Sequence, residues 1–430
     1  MLDIKFIREN ADLVKKDLEK RDDHEKVKWV DEVLQNDKRY RDLLQESQKL
    51  RHDRNIITQE INELRKQGGD ISPKLKLAKA LPGKIKKAEE DTLEIKEKLK
   101  YYLMRIPNIL HKSVPFGTDD TGNKTVRTFG KKPKFDFKLK DHSTIIEDLG
   151  MANFDDAAKV SGNGFYYLMG DLALLDLALM RFAIDILVKD GYTLVEPPLM
   201  VRKKPYEGVT DLADFETMMY KIDGEDLYLI ATSEHPIAAM NMNKTFDESE
   251  LPLKYCGVSP CFRKEIGSHG IDTKGLFRVH QFNKIEQFVF CKPEDSWKLH
   301  EELIANAETI FQKLKLPYRV VNICTGDIGI VAAKKYDLEV YMPRENKYRE
   351  VVSCSNCTGY QATRLNIKYR KGGEKEYMHT LNSTAIATGR ALRAIIENYQ
   401  QKDGSVKIPA VLVPYMNGIK KLSLSEQKKE

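Results

Sequence analysis

The sequence predicts an α+β protein: a mixed or antiparallel sheet flanked by helices, preceded by an N-terminal antiparallel helical hairpin. Three observations carry that expectation. Leu43, Leu50, Ile57 and Leu64 recur every seven residues with charges between them, one apolar stripe along a long helix. After the break Gln67-Gly68-Gly69-Asp70, a second stripe follows: Ala78, Leu81, Ile85, Ala88, Thr92, Ile95, Leu99, Tyr102 and Ile106. Beyond residue 141, short β-rich runs do not alternate regularly with helices, which favours an antiparallel or mixed sheet over a parallel one.

Two long stripes joined by a break make a hairpin arm. Pro82-Gly83 interrupts the second stripe, because proline lacks the N–H and clashes with the preceding turn. The returning helix is therefore expected to begin near Lys84, with residues 68–83 as the tip. Between Ile71 and Lys87 lie Lys74, Lys76, Lys79, Lys84, Lys86 and Lys87, and no acidic residue. A lysine run is most often a solvated helix face. On a protruding arm it also suits a phosphate backbone, where each neutralised phosphate releases counterions.

Ile106 to about Asp141 reads as linker, with Pro107, Pro115, Pro133 and several Gly, Thr and Asp turn residues. Residues 171–190 form a helix with Leu174, Leu175, Ala178, Leu179, Phe182 and Ile186 on one face. Gly191 ends it, and Tyr192 starts an extended segment before Pro197-Pro198. Later β-rich runs are 227–231, 287–290, 318–323 and 350–353, with a helix at 296–314. The expected domains are an arm at 1–112 and an α+β domain at 113–430.

The length of 430 residues exceeds one ordinary core. With 41% hydrophobic and 32% charged residues, the composition fits a soluble protein with one highly charged part. No apolar run approaches the ~20 residues of a membrane span. The start, MLDIKFIREN, lacks the apolar core of a secretory signal. Six cysteines are too sparse for a disulfide scaffold, so a reducing cytoplasm is expected. Cys354 and Cys357 have half the spacing of a zinc site, but Cys256 and Cys261 make a poor second half. Two core thiols are the expectation. The net charge of +6 is modest and says nothing by itself about nucleic acid.

Chemistry concentrates in a few segments. Phe262-Arg263-Lys264-Glu265 is followed by a Gly-rich loop from Gly267-Ser268-His269-Gly270 to Gly275, then by Phe277-Arg278-Val279-His280-Gln281-Phe282. Two short strands around that loop would bring Arg263, Glu265, Arg278 and Phe282 together. A planar guanidinium can grip a carboxylate and a phosphate, and a phenylalanine offers a purine its face. A hairpin with surface arginines is the plainer alternative. Residues 381–390, ending in Thr388-Gly389-Arg390, read as a small-residue strand turning into an amphipathic helix. Thr232-Ser233-Glu234, Lys284-Ile285-Glu286-Gln287 and the run from Glu350-Val351-Val352-Ser353 to Cys357 complete the set. His269 and His280 are read as loop or hairpin structure.

Together these segments resemble the seryl-tRNA synthetases of the bacterial/eukaryotic type, within class II of the aminoacyl-tRNA synthetases. The Arg263 segment resembles motif 2 of the class, residues 381–390 motif 3, and residues 191–200 with Pro197 the dimer-interface motif 1. Thr232–Glu234 resembles the serine-binding loop, and the hairpin resembles the family's tRNA-binding arm. The resemblance implies a cytoplasmic, homodimeric serine–tRNA ligase acting on ATP, L-serine and tRNA(Ser), and on tRNA(Sec) where present, with Mg²⁺ accompanying ATP.

It also implies roles. Arg263, Arg390 and Glu286 are the catalytic candidates. Thr232, Ser233, Glu234, Arg263, Glu286, Asn382 and Thr384 would hold serine. Arg263, Lys264, Glu265, Arg278, Val279, His280, Gln281, Phe282, Glu350, Val351, Val352, Ser353 and Arg390 would hold ATP, with Glu350 and Ser353 on the metal. Lys74, Lys76, Lys79 and Lys84 would meet tRNA. Which of Asn382, Ser383 and Thr384 touches serine stays open. So do three other readings: another class II synthetase, a paralogue loading a carrier protein, and a non-enzymatic coiled-coil RNA-binding protein. The first usually carries a C-terminal anticodon domain, whereas forty residues with a basic tail follow Arg390.

Overall fold

The computed structural model describes residues 1–211, 217–265 and 274–424. The Gly267–Gly270 loop with His269, and the basic end of the tail, lie outside those residues. The chain divides into two compact units, Met1–Pro107 and Asn108–Glu430.

The first unit is helical. Two short helices, Ile4–Glu9 and Ala11–Lys20, precede the long pair α1 (His24–Lys66) and α2 (Ser72–Leu103). Asp23 caps α1 by accepting from the Lys26 N–H at 3.3 Å. Val30, Val33, Leu43 and Ile61 of α1 are buried, as are Leu81, Ile85, Ala88, Leu99 and Leu103 of α2. Their spacing of three and four keeps one face of each helix on its partner. Gly68, at φ +69°, supplies the left-handed residue just past the end of α1. The Asp70 carboxylate then accepts from the Ser72 N–H at 2.9 Å, where α2 starts.

The returning helix thus begins at Ser72, not near Lys84 as the proline suggested. Pro82 lies inside α2 on its exposed side, next to buried Leu81. The carbonyl four residues back loses its usual N–H, but water can serve it there. The apolar stripe runs through Leu81 and Ile85 on either side of the break, so packing overrides the local preference. The structure also brings Glu60 to the basic tip: Lys74 Nζ lies 2.7 Å from its carboxylate.

The second unit is built on an eight-stranded sheet. In chain order its strands are β1 (Lys124–Phe129), β2 (Thr193–Val195), β3 (Leu253–Phe262), β4 (Gln281–Cys291), β5 (Tyr318–Asn322), β6 (Lys334–Met342), β7 (Lys347–Asn356) and β8 (His379–Ala387). The spatial order is β1-β5-β6-β7-β8-β4-β3-β2. Neighbours run antiparallel except β2 and β3, which are parallel. The predicted linker therefore contains a strand: β1, with the sequence KTVRTF, pairs with β5 at the sheet edge. Its β-branched and aromatic Thr125, Val126, Thr128 and Phe129 were the sequence signal, masked by the turn residues around it.

Three helices, α3 (Gly170–Lys189), α4 (Ser296–Lys313) and α5 (Thr388–Tyr399), supply most of the helical share of the main core. Leu175, Leu179, Leu303, Phe311, Leu392 and Ile395 pack there with Ile285, Val289, Val320 and Leu338 of the sheet. Successive strand residues point to opposite faces. Ile285 and Val289 of β4 belong to this core, while Phe288 and Phe290 join a second cluster with Ile237, Leu365 and Tyr369. Lys284 and Glu286 share the face of Phe288 and Phe290, which is how a central strand presents charge to a cavity.

Candidate active site

One cavity of about 290 Å³ opens on the sheet and is lined by residues of β4, β6, β7, β8 and α5 and of the segments around Thr232, Arg263 and Arg278. Gly257 of β3 stands opposite Glu286. A Cβ there would lie 2.5 Å from both Ser233 Oγ and Ile237 Cδ1, so only glycine lets the Thr232–Glu234 segment press onto the sheet. Likewise a Cβ on Gly389 would lie 2.7 Å from the Leu276 carbonyl, so glycine admits the Leu276–Arg278 segment beside Arg390.

At one end of the cavity, Arg263 follows β3 directly. Its N–H donates to the His280 carbonyl at 2.9 Å, tying the two sides of the hairpin together. Its guanidinium rests 5.3 Å from the centre of the Phe282 ring and reaches the Ala231 carbonyl at 3.4 Å. Arg278 Nε lies 3.9 Å from Glu265, whose backbone sits at φ +44°. Arg390, in the first turn of α5, donates to the Glu350 carbonyl at 2.9 Å and lies 3.3 Å from its carboxylate. Phe277 lies 4.9 Å under that guanidinium. Burial alone would raise the Glu350 carboxyl, but Arg390 and Lys335 outweigh it and hold it below the usual carboxylate range.

At the other end sit two acids. Glu234 accepts from Gln361 Nε2 at 2.8 Å and from Asn382 Nδ2 at 3.1 Å. Burial, then the like charge of Glu286, pushes the Glu234 carboxyl up to about 7. Glu286 accepts from Thr384 Oγ1 at 3.3 Å and pairs with Lys284 at 2.6 Å. The register shift between Thr384 and Ile386 is a bulge that turns Thr384 to the cavity and Ile386 to the core.

Of the residues singled out in the sequence, Thr232, Glu234, Arg263, Glu265, Arg278, Val279, Phe282, Glu286, Glu350, Val351, Ser353, Asn382, Thr384 and Arg390 line this one cavity. Ser233 is fully buried beneath it, and Val352 lies in the main core. Lys264 instead sets its ammonium 5.8 Å over the Tyr220 ring. Gln281 lines a neighbouring hollow with Asp176 and Phe165. His280 hydrogen-bonds through Nδ1 to Tyr220 at 2.9 Å and to the Arg263 carbonyl at 2.7 Å, and it stacks on Phe165. The cavity also takes in Phe277, Lys284, Lys335 and Gly389, which the sequence reading did not select. Lys284 had a signal, since it alternates with Glu286 along one strand. Lys335 had the same signal, since it alternates with its partner Asp337 along β6, while Glu350 comes from the neighbouring strand β7. Burial pushes up the Cys354 and Cys357 thiols, and Asn382 Nδ2 lies 3.7 Å from Cys357 Sγ.

A largely antiparallel sheet that sets one arginine after a hairpin strand and another at the start of the final long helix, both facing one acid-lined cavity, defines the core of a class II aminoacyl-tRNA synthetase. Residues 216–399 match the family described as tRNA synthetase class II core domain (G, H, P, S and T). Residues 1–110 match the seryl-tRNA synthetase N-terminal domain. A serine–tRNA ligase from Methanocella arvoryzae is 62% identical over 98% of this chain and 100% of its own length. A crystal structure of seryl-tRNA synthetase from Pyrococcus horikoshii complexed with ATP is 52% identical, with a TM-score of 0.92 over 99% of this chain and 100% of that one. A cytoplasmic serine–tRNA ligase from Naegleria fowleri in complex with AMP is 38% identical, with a TM-score of 0.87 over 99% of both chains. The chain belongs to the seryl-tRNA synthetase family.

Proposed function

We propose a division of labour among these residues for the reaction of the family. The chain is a serine–tRNA ligase. The serine carboxylate attacks the α-phosphorus of ATP, giving seryl-adenylate and releasing pyrophosphate. The 3′-terminal ribose hydroxyl of the tRNA then takes the seryl group, and AMP leaves. Serine already carries its nucleophile, so the protein has no proton to remove in the first step. Positioning and neutralisation of charge supply the rate.

In this reading Arg263 bridges the α-phosphate and the serine carboxylate. Arg390 holds the γ-phosphate and Arg278 assists. Phe282 stacks on adenine while Glu265 and the backbone around Val279 border it. Glu350 and Ser353 offer hard oxygen donors, a set that suits Mg²⁺, which would offset phosphate charge when bound there. Glu234 and Glu286 accept from the ammonium and the hydroxyl, with Thr232, Asn382 and Thr384 completing the cup. A site that hydrogen-bonds a hydroxyl rejects the analogue lacking it by about 10⁴–10⁵-fold, because its buried acceptors go unpaired. The observation that carries the assignment is that three arginines and four acids from separate stretches of sequence face the same cavity.

The arm, residues 1–112 in the domain division proposed here, recognises tRNA(Ser) by shape and backbone, as suits an A-form stem. The catalytic domain is 113–430. A homodimer is proposed on the strength of Leu177, Leu194, Leu199 and Met200, all exposed on α3 and the segment after it. Among the described residues no helix is long and apolar enough to cross a membrane, and all six cysteines are free and buried. A reducing cytoplasm is the proposed compartment.

Amino-acid-dependent pyrophosphate exchange tests the assignment. Serine should support exchange, with little from threonine, alanine, glycine or proline. Arg263→Lys keeps the charge but loses the planar fork, so kcat for exchange should drop by about 10²–10³-fold. A folded Arg263→Lys enzyme with near-normal exchange would remove the central residue and shift the assignment toward Arg278.

A further inference from the structure

The cavity holds a cation that the phosphate chemistry does not use. Lys284 precedes Glu286 by two residues on β4, so both side chains leave the same face of the strand. Their side chains are 7% and 2% exposed, and Lys284 Nζ lies 2.6 Å from Glu286 Oε2. Thr384 Oγ1 reaches the same oxygen at 3.3 Å. The other oxygen of Glu286, Oε1, takes no hydrogen bond from the described residues. Glu234 is arranged in the same way, with Gln361 and Asn382 both on Oε1 and Oε2 without a donor among the described residues. Two carboxylates on the cavity wall each have one oxygen tied by the protein and one open.

A buried ammonium is stable only beside a partner, and removing one member of a buried pair leaves an uncompensated charge. Here the partner of Lys284 is the acid assigned to serine, not one assigned to phosphate. We infer that Lys284 is a positioning residue for serine selection: it clamps Glu286 through Oε2, so that Oε1 alone is presented to the substrate. The inference rests on the reading that Glu286 binds serine.

The pair sits in crowded company. Glu234 from the Glu234–Ala239 helix, Arg263 beyond β3, Cys261 on β3 and Thr384 on β8 surround the pair. Lys284 is one of the positive charges that hold the Glu234 carboxyl down against burial and Glu286, so its loss would raise that carboxyl further. The pH dependence of serine binding would then move to higher pH.

The test is Lys284→Met in the full-length enzyme, with pyrophosphate exchange read against serine, ATP and pH. Serine KM should rise about tenfold or more, with ATP KM within about twofold and the serine–alanine discrimination reduced. The serine KM profile should shift upward in pH, which a purely structural lysine would not produce. Adding Glu286→Gln to Lys284→Met should have little further effect. A folded Lys284→Met with serine KM and pH profile unchanged, or with serine and ATP KM rising together, overturns the inference. If Lys284→Met does not fold, Lys284→Arg carries the test: an intermediate rise in serine KM supports the clamp, and an unchanged value overturns it. Glu286→Gln alone separates the two layers. If it leaves serine KM unchanged, the reading of Glu286 fails. If it raises serine KM while Lys284→Met does not, only the clamp fails.

Discussion

The two units of this chain use charge in opposite ways. In the arm, charged side chains cover a hairpin whose buried surface is mainly a thin apolar stripe. Lys76, Lys79 and Lys84 are exposed, and they make no ion pair among the described residues. In the catalytic unit, Lys284, Glu286 and Glu234 are brought inside and held by neighbours on three different elements. The first arrangement suits a long, anionic partner that is recognised by its backbone. The second suits a small zwitterion that has to be told from its close relatives. Surface charge attracts broadly and is screened by salt; buried charge is expensive to keep and therefore discriminates.

The largest test of that contrast removes one unit. Deleting about residues 30–105 should leave serine-dependent pyrophosphate exchange largely intact and abolish charging of tRNA, because every ATP and serine candidate lies at Thr232 or beyond. The comparison breaks if a folded truncated protein charges tRNA normally, or if exchange disappears with charging. Aminoacylation with labelled serine, run beside exchange on one preparation, reads both outcomes.

How much of this was legible beforehand differs between the units for the same physical reason. The arm is local: residues three and four apart decide which face is buried, and the stripes name the helices directly. What failed there was Pro82, because a continuous packing face tolerated one lost hydrogen bond on the solvent side. The catalytic unit is non-local. Arg263 with Arg278, and Asn382 with Thr384, lie within short stretches of sequence, so motif spacing reached them. Lys335 has Asp337 two residues along its own strand, but it meets Glu350 only because β6 pairs with β7, and no spacing announces that. Strand β1 stayed hidden because an edge strand can be short, polar and surrounded by turns.

A smaller effect concerns pH in the catalytic unit alone. Glu234, raised to about 7 by burial and by Glu286, should lose its charge as the pH falls through that value. Serine KM should then rise by up to about tenfold per pH unit below 7, as expected for one proton, while ATP KM stays flat. Stability should move the other way. A carboxyl with a folded-state value above its unfolded value binds more protons when folded, so its ionisation opposes folding. Its contribution makes the ligand-free fold more stable as pH falls from 8 toward 6. Glu286, Lys284 and Arg263 all face this group, so the profile is best read against Glu234→Gln. Serine KM independent of pH over this range in the parent enzyme would mean that Glu234 is not the ammonium or hydroxyl acceptor.

The smallest expected effect lies at the basic tip, and it separates lysines that sequence treats alike. Lys74 is half-buried and already holds Glu60 at 2.7 Å across the hairpin. Lys76 and Lys79 are exposed. Each lysine that neutralises a phosphate contributes about 0.7–0.9 to the slope of log affinity against log salt. Lys76→Gln and Lys79→Gln should each flatten that slope and weaken tRNA binding modestly, with serine KM unchanged. Lys74→Gln should do less to the slope, because its charge is spent largely on Glu60 in the free protein. It also leaves Glu60 unpaired on the same face, so its loss of affinity should be the less salt-dependent of the two kinds. Filter binding of tRNA across a salt series distinguishes them. An equal slope change for Lys74→Gln and Lys76→Gln would mean that tRNA displaces Glu60 on binding, and that the tip works as a single basic patch. No slope change for any of the three would confine tRNA recognition to other parts of the arm.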